Sequence, residues 1–171
     1  MKPWTPEPGI TSGEGRELAI SGVALAELMR AVLEKGAPFR FRARGWSMVP
    51  FILDGDVITV APLPGGLPRM GDVVAFVRRE TGKVVVHRII ARRGDAWLTK
   101  GDNSSEEGDG LFSRGDLLGR VTDVERGGRR VRVGLGPERG LVALLSRWRL
   151  LLPLRQLAYS LVVLLPRRHE R

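Results

Sequence analysis

Between residues 39 and 133 the apolar positions recur mainly with the period of β-strands. Phe39, Phe41 and Ala43 alternate with Arg40, Arg42 and Arg44, the pattern of a strand with one face buried. Residues 57–61 are a second short strand. Residues 72–78 and 83–91 are near-continuous apolar runs, joined by Glu80-Thr81-Gly82 in a hairpin-like turn. Further strands are predicted at 97–100, 117–124 and, after the Gly127-Gly128 turn, 130–133. Six Gly-Asp pairs, at Gly55, Gly71, Gly94, Gly101, Gly108 and Gly115, punctuate this region at expected strand ends. The expectation is a mainly β (α+β) fold, coiled and antiparallel, with short strands.

Helical spacing occurs at the two ends. Val23, Leu25, Leu28, Met29, Val32 and Leu33 predict an amphipathic helix over 21–35, with Ser21 as N-cap and Gly36 just past its end. Residues 141–165 are almost wholly apolar. Their polar exceptions Ser146, Arg149, Pro153, Gln156 and Ser160 step by three and four, which places one narrow polar stripe along a helix that Pro153 kinks or splits. The organisation expected is an N-terminal arm (1–16), a β domain that includes the first helix (17–136), and a helical tail (137–171).

Charge sharpens the reading of that tail. Of the chain's 171 residues, 1–125 hold 17 Lys and Arg against 17 Asp and Glu, whereas 126–171 hold 11 Arg against 2 Glu. The entire net charge of +9 is therefore a property of the tail. An apolar segment this basic suits an anionic lipid surface, or packing on the domain or in a homodimer, better than nucleic acid, which is not expected as a partner. The tail is long enough to span a bilayer. Arg147, Arg149 and Arg155 oppose spanning, at roughly 2.5–3.5 kcal/mol for an arginine at the bilayer centre, so the membrane contact expected is peripheral, through residues 141–171. Residues 1–15 lack the apolar core of a secretory signal. With no cysteine in the chain there is neither a disulfide framework nor a thiolate metal site. A cytoplasmic protein, peripherally membrane-associated, and without a cofactor is the expectation.

The candidate chemistry lies in a serine and a histidine. Ser47 stands in Gly45-Trp46-Ser47-Met48-Val49-Pro50, between the basic strand and a proline. His87 lies forty residues on, within an apolar strand. Serine attacks a carbonyl only if a base takes its proton, and histidine does this near neutral pH. A carboxylate on the second ring nitrogen holds the tautomer and stabilises the imidazolium. Asp102 and Asp109, in the polar loop 100–109, are both candidates for that role.

The stretches GWSMVPFILDGDVITV, MGDVVAFV, VVVHRII and LTKGDNSSEEGDGLF, followed by DLLGRV, occur in the order of the motifs of type I signal peptidases and the related self-cleaving LexA-type repressors. The chain resembles that superfamily over residues 39–124. The resemblance implies that Ser47 is the nucleophile. His87-Arg88 stands where common bacterial enzymes carry a lysine base, which resembles the histidine-base branch of endoplasmic-reticulum and archaeal signal peptidases. It further implies a serine endopeptidase acting on a leader or signal-like peptide bound in extended form, with Asp102 or Asp109 orienting His87. Gly45 replaces a common hydroxyl residue, which leaves backbone N–H groups, above all that of Ser47, to bind the oxyanion. Trp46 replaces the usual glycine. If its ring fills the cleft, the alternative is an inactive peptide-binding or maturation-partner module of the same fold. Neither an apolar anchor nor a helix-turn-helix domain precedes Ser47, so the substrate expected is a specialised one.

Overall fold

The computed structural model describes residues 22–63, 66–105, 108–148 and 150. Their strands form one eight-stranded sheet: β1 (Phe39–Arg42), β2 (Val57–Ala61), β3 (Val73–Val77), β4 (Val84–Arg93), β5 (Ala96–Lys100), β6 (Leu111–Phe112), β7 (Leu117–Arg126) and β8 (Arg129–Arg130). The order is β1-β2-β7-β3-β4-β5-β6, with β8 added to β7, and every pairing is antiparallel. Helix α1 (Gly22–Glu34) packs on the sheet through Ala26, Met29 and Leu33. Its expected N-cap, Ser21, lies outside the described residues.

Strand β3 is buried on both faces, which explains its unbroken apolar run. Val73 and Ala75 join a core with Met29, Leu33, Met48, Ile52, Ile58, Val60, Val121 and Val124. The alternate residues Val74 and Phe76 join a second core with Ile89, Trp97 and Phe112. In that second core the Phe112 ring stacks on Phe76 at 4.8 Å and on Trp97 at 5.8 Å. Strand β6 exists to deliver Phe112 there. Two residues are too few to show a period, so the sequence pattern did not reveal this strand.

The expected strand over 130–133 is a correction. The ladder with β7 covers only Arg129 and Arg130; Val131 N–H still donates to the Val124 carbonyl at 2.7 Å, and the chain then leaves the sheet and turns at Gly134, where φ is 88°. The carbonyl of Gly134 accepts a hydrogen bond of 2.7 Å from Arg88, and its Cα lies against the Phe51 ring, where a Cβ would come within 2.4 Å of that ring. Helix α2 (Arg139–Arg147) comes next and packs on β4, with Val142, Ala143 and Ser146 buried. The buried Lys100 ammonium donates to the Ser146 carbonyl at 2.9 Å, near the negative end of the helix. The predicted tail helix beyond 150 lies outside the described residues. No helix among the described residues is long and apolar enough to cross a membrane.

Among the described residues, the open strand edges include two that line a common cleft. Strand β1 ends the sheet, so no described strand pairs with its outer edge. Strand β4 pairs with β3 from Val84 onward but meets β5 only from Arg88, so residues 84–87 have one open edge. These two edges line one cleft although three strands separate them in the sheet order, so the sheet curls to bring them together.

Candidate active site

Ser47 sits at the mouth of that cleft on a tight turn. Val49 N–H donates to the Trp46 carbonyl, and Phe51 and Ile52 N–H both donate to the Met48 carbonyl. Buried Met48 and Ile52 anchor the turn in the core, which leaves Ser47 exposed. At Gly45 the backbone takes φ 98°, a region that side chains disfavour, while its N–H donates to Asp54 at 2.8 Å. Any residue with a side chain would carry a conformational penalty there.

His87 is carried on β4 opposite Val74 and is largely buried. Its Nε2 lies 2.9 Å from Ser47 Oγ. Its Nδ1 is in hydrogen-bond contact with Asp109 Oδ2. With the proton on Nδ1 donated to Asp109, Nε2 is left to accept from the Ser47 hydroxyl. The other oxygen of Asp109 accepts from Arg78 at 3.2 Å. Asp109 is itself pinned by its N–H, which donates to the Thr99 carbonyl at 2.9 Å.

The second candidate carboxylate is elsewhere. Successive residues of a strand point to opposite faces. Asp109 meets His87, and Asp102 meets the next residue, Arg88. The Arg88 guanidinium holds both Asp102 oxygens at 2.8–3.2 Å and also donates to the carbonyls of Gly71 and Gly134. Neither side chain of this pair is exposed. Burial raises the Asp102 carboxyl above its ordinary value, against the opposing pull of Arg88. The open choice between Asp102 and Asp109 as the partner of His87 therefore falls geometrically to Asp109.

Residues given no role from the sequence complete the arrangement. Asn103 N–H donates to the Ser47 carbonyl at 2.7 Å, and its side-chain amide donates to the Trp46 carbonyl at 3.1 Å. Between Lys100 and Asp102, Gly101 passes so close that a Cβ would lie 2.7 Å from Ser47 O and 3.1 Å from His87 Nε2. The absence of a side chain at Gly101 is thus what lets the 100–103 loop approach the serine and histidine. Of the six Gly-Asp glycines this is one of two with no positive φ; it does open a turn, closed by Ser104 N–H donating to its carbonyl at 3.0 Å, but the turn's backbone does not require glycine and the close approach does. Asn103 lies within a stretch that carries the family resemblance, whereas Arg78 bears no local motif that could have marked it.

The cleft holds about 420 Å3. Phe41, Ala43, Met48, Ile52, Ile58 and Val86 give it apolar walls, and Arg78, Ser47 and His87 also line it. Trp46 is not among its lining residues, and 67% of its surface is exposed. Among the described residues no group of His, Cys, Asp and Glu is placed to hold a metal ion.

The model of the peptidase S24-like family matches residues 10–114, more than half of the chain. The chain belongs to the peptidase S24-like family. Compared with curated proteins one at a time, it matches none. Membership in the peptidase S24-like family agrees with the mostly antiparallel sheet and places the chain in the superfamily of LexA-type repressors and signal peptidases. The matched region includes Ser47, His87, Asp102 and Asp109.

Proposed function

We propose that this peptidase S24-like chain is a serine endopeptidase of signal-peptidase-like type that uses histidine as its base. The observation that carries the proposal is the contact of His87 with Ser47 Oγ on one side and Asp109 on the other, at the mouth of an apolar cleft. Ser47 attacks the scissile carbonyl as His87 Nε2 takes its proton. Asp109 holds the ring and stabilises the imidazolium. The Ser47 N–H, which has no hydrogen-bond acceptor among the described residues, is placed to donate to the oxyanion. Collapse of the tetrahedral intermediate breaks the C–N bond, and His87 returns the proton to the leaving amine. Water then repeats the sequence on the acyl-serine.

The substrate assigned to the cleft is an extended peptide. The free edges of β1 and of β4 residues 84–87 offer main-chain donors and acceptors on both sides of it, and the apolar walls favour small or aliphatic side chains. This suits a leader or signal-like peptide. The alternative, an inactive peptide-holding or maturation-partner module, is motivated by Gly45 and Trp46; that Trp46 is not among the cleft-lining residues favours the peptidase reading.

The test uses a serine-directed phosphonate probe together with cleavage of leader-like peptides. The protein is expected to be labelled, with labelling and cleavage both abolished in Ser47→Ala. Cleavage is expected to decline toward acid pH, since a protonated imidazole cannot accept the serine proton. Undiminished labelling of Ser47→Ala would overturn the assignment, as would activity that is flat into strong acid.

A further inference from the structure

Helix α2 is apolar on two sides, and the described residues cover only one. Its inner side, Val142, Ala143 and Ser146, is buried, and Lys100 ties down the Ser146 carbonyl. The helix therefore cannot roll to bury its outer side without losing those contacts. On that outer side Leu141, Leu144 and Trp148 recur at spacings of three and four, with exposures of 60%, 43% and 67%. Leu150, 48% exposed, continues the apolar surface. Arg147, on the same helix, is exposed, as are Arg129, Arg130 and Arg132 nearby in sequence.

Three occupants could cover this side: the following segment of the chain, a second copy, or lipid. Residues 151–165 contain seven Leu and two Val, broken only by Pro153, Arg155, Gln156, Ala158, Tyr159 and Ser160. That is far more apolar surface than three outer residues of α2 can cover, so folding this segment onto α2 would still leave much of it wet. A second copy would bring together two segments that each carry 11 Arg against 2 Glu over 126–171. An anionic bilayer accepts both properties at once. Its acyl boundary takes the leucines, its headgroups pair with the arginines, and an indole such as Trp148 favours the interface between them. We infer that the outer side of α2 docks on an anionic lipid surface.

The inference is independent of catalysis, and its test reads binding rather than cleavage. Full-length protein is floated with vesicles of phosphatidylcholine alone and of phosphatidylcholine mixed equally with phosphatidylglycerol. The protein is expected to float with the mixed vesicles, to be released by high salt, and to partition at least about tenfold more weakly as Leu141→Ser/Leu144→Ser. Circular dichroism and unchanged probe labelling check that this variant is folded. Trp148 emission is expected to shift to the blue with mixed vesicles and the shift to vanish in Trp148→Phe. Unchanged partition of the double variant would overturn the inference, as would failure to float. So would a lipid-independent dimer that the same substitutions dissociate, since the second copy would then be the occupant.

Discussion

Asp102 binds Arg88 through both carboxylate oxygens, in a pair from which solvent is excluded, while one residue earlier on the same strand His87 takes Asp109. The two aspartates should therefore fail in different ways. Asp102→Ala leaves a buried guanidinium without its counter-charge, a change that costs about 3–5 kcal/mol. Thermal unfolding should show a large fall in Tm. Asp109→Asn should instead fold and lose about four orders of magnitude in kcat, as a triad does when its histidine is held in the wrong tautomer. A stable but inactive Asp102→Ala, with an active Asp109→Asn, would reverse the two roles.

Gly101 is predicted to be intolerant of the smallest addition. In Gly101→Ala the new methyl meets the Ser47 carbonyl and the His87 ring, so the 100–103 loop must retreat from the nucleophile. Because displacements of about 1 Å cost roughly 100-fold in rate, probe labelling should slow by at least that factor while Tm changes less than in Asp102→Ala. Labelling at the unaltered rate would show that the loop yields freely.

Arg78 is predicted to act through Asp109. It occupies the carboxylate oxygen that His87 does not, and it also lines the cleft. Arg78→Gln should lower kcat and narrow the pH range of activity, and Arg78→Lys should recover part of both. A change confined to KM would assign Arg78 to substrate contact alone.

Acid should weaken the fold through Asp116. The Arg79 guanidinium and the Ser113 N–H and hydroxyl hold this carboxyl at about 2, against the opposing effect of burial. A carboxyl depressed below its ordinary 3.8 binds protons less readily in the folded chain than in the unfolded one. Its stabilising contribution is therefore fully present above that ordinary value and disappears as pH falls through about 2. For Asp56, burial is outweighed by the hydrogen bonds of Arg126 and of Leu53 N–H, and its carboxyl is lowered in the same direction. The Tm deficit of Asp116→Asn relative to the parent should be clear at neutral pH and nearly absent at pH about 2. An equal deficit at both would contradict the assignment.

Legibility in the sequence depended on how local each feature is. The apolar runs became strands because they are long enough to show a period, and Gly127-Gly128 became a turn because both residues take positive φ, at 54° and 75°. Ser47 and His87 were legible through the motifs around them. The partner of His87 was not, because it depends on how the 101–110 loop returns across two faces of β4. Gly101 resembled five other Gly-Asp glycines, and only the third dimension shows that it faces the serine. Arg78 lies at a hairpin end with nothing nearby in sequence to link it to Asp109. The strand expected at 130–133 was only partly found, as β8 at Arg129–Arg130, and a distant contact lies just beyond it, where Arg88 donates to the Gly134 carbonyl.

The two open strand edges that flank the cleft have a cost for the protein's life in solution. An unpaired edge will accept any extended chain, including that of a neighbouring molecule, and so invites edge-to-edge aggregation. Strand β1 carries Arg40 and Arg42 on its exposed face, with Arg44 just beyond, and the opening of β4 is only four residues long. Charge on one edge and brevity on the other leave room for a single slender peptide while discouraging the sheet of another copy. Substituting these arginines with valine should therefore lower solubility even where cleavage survives.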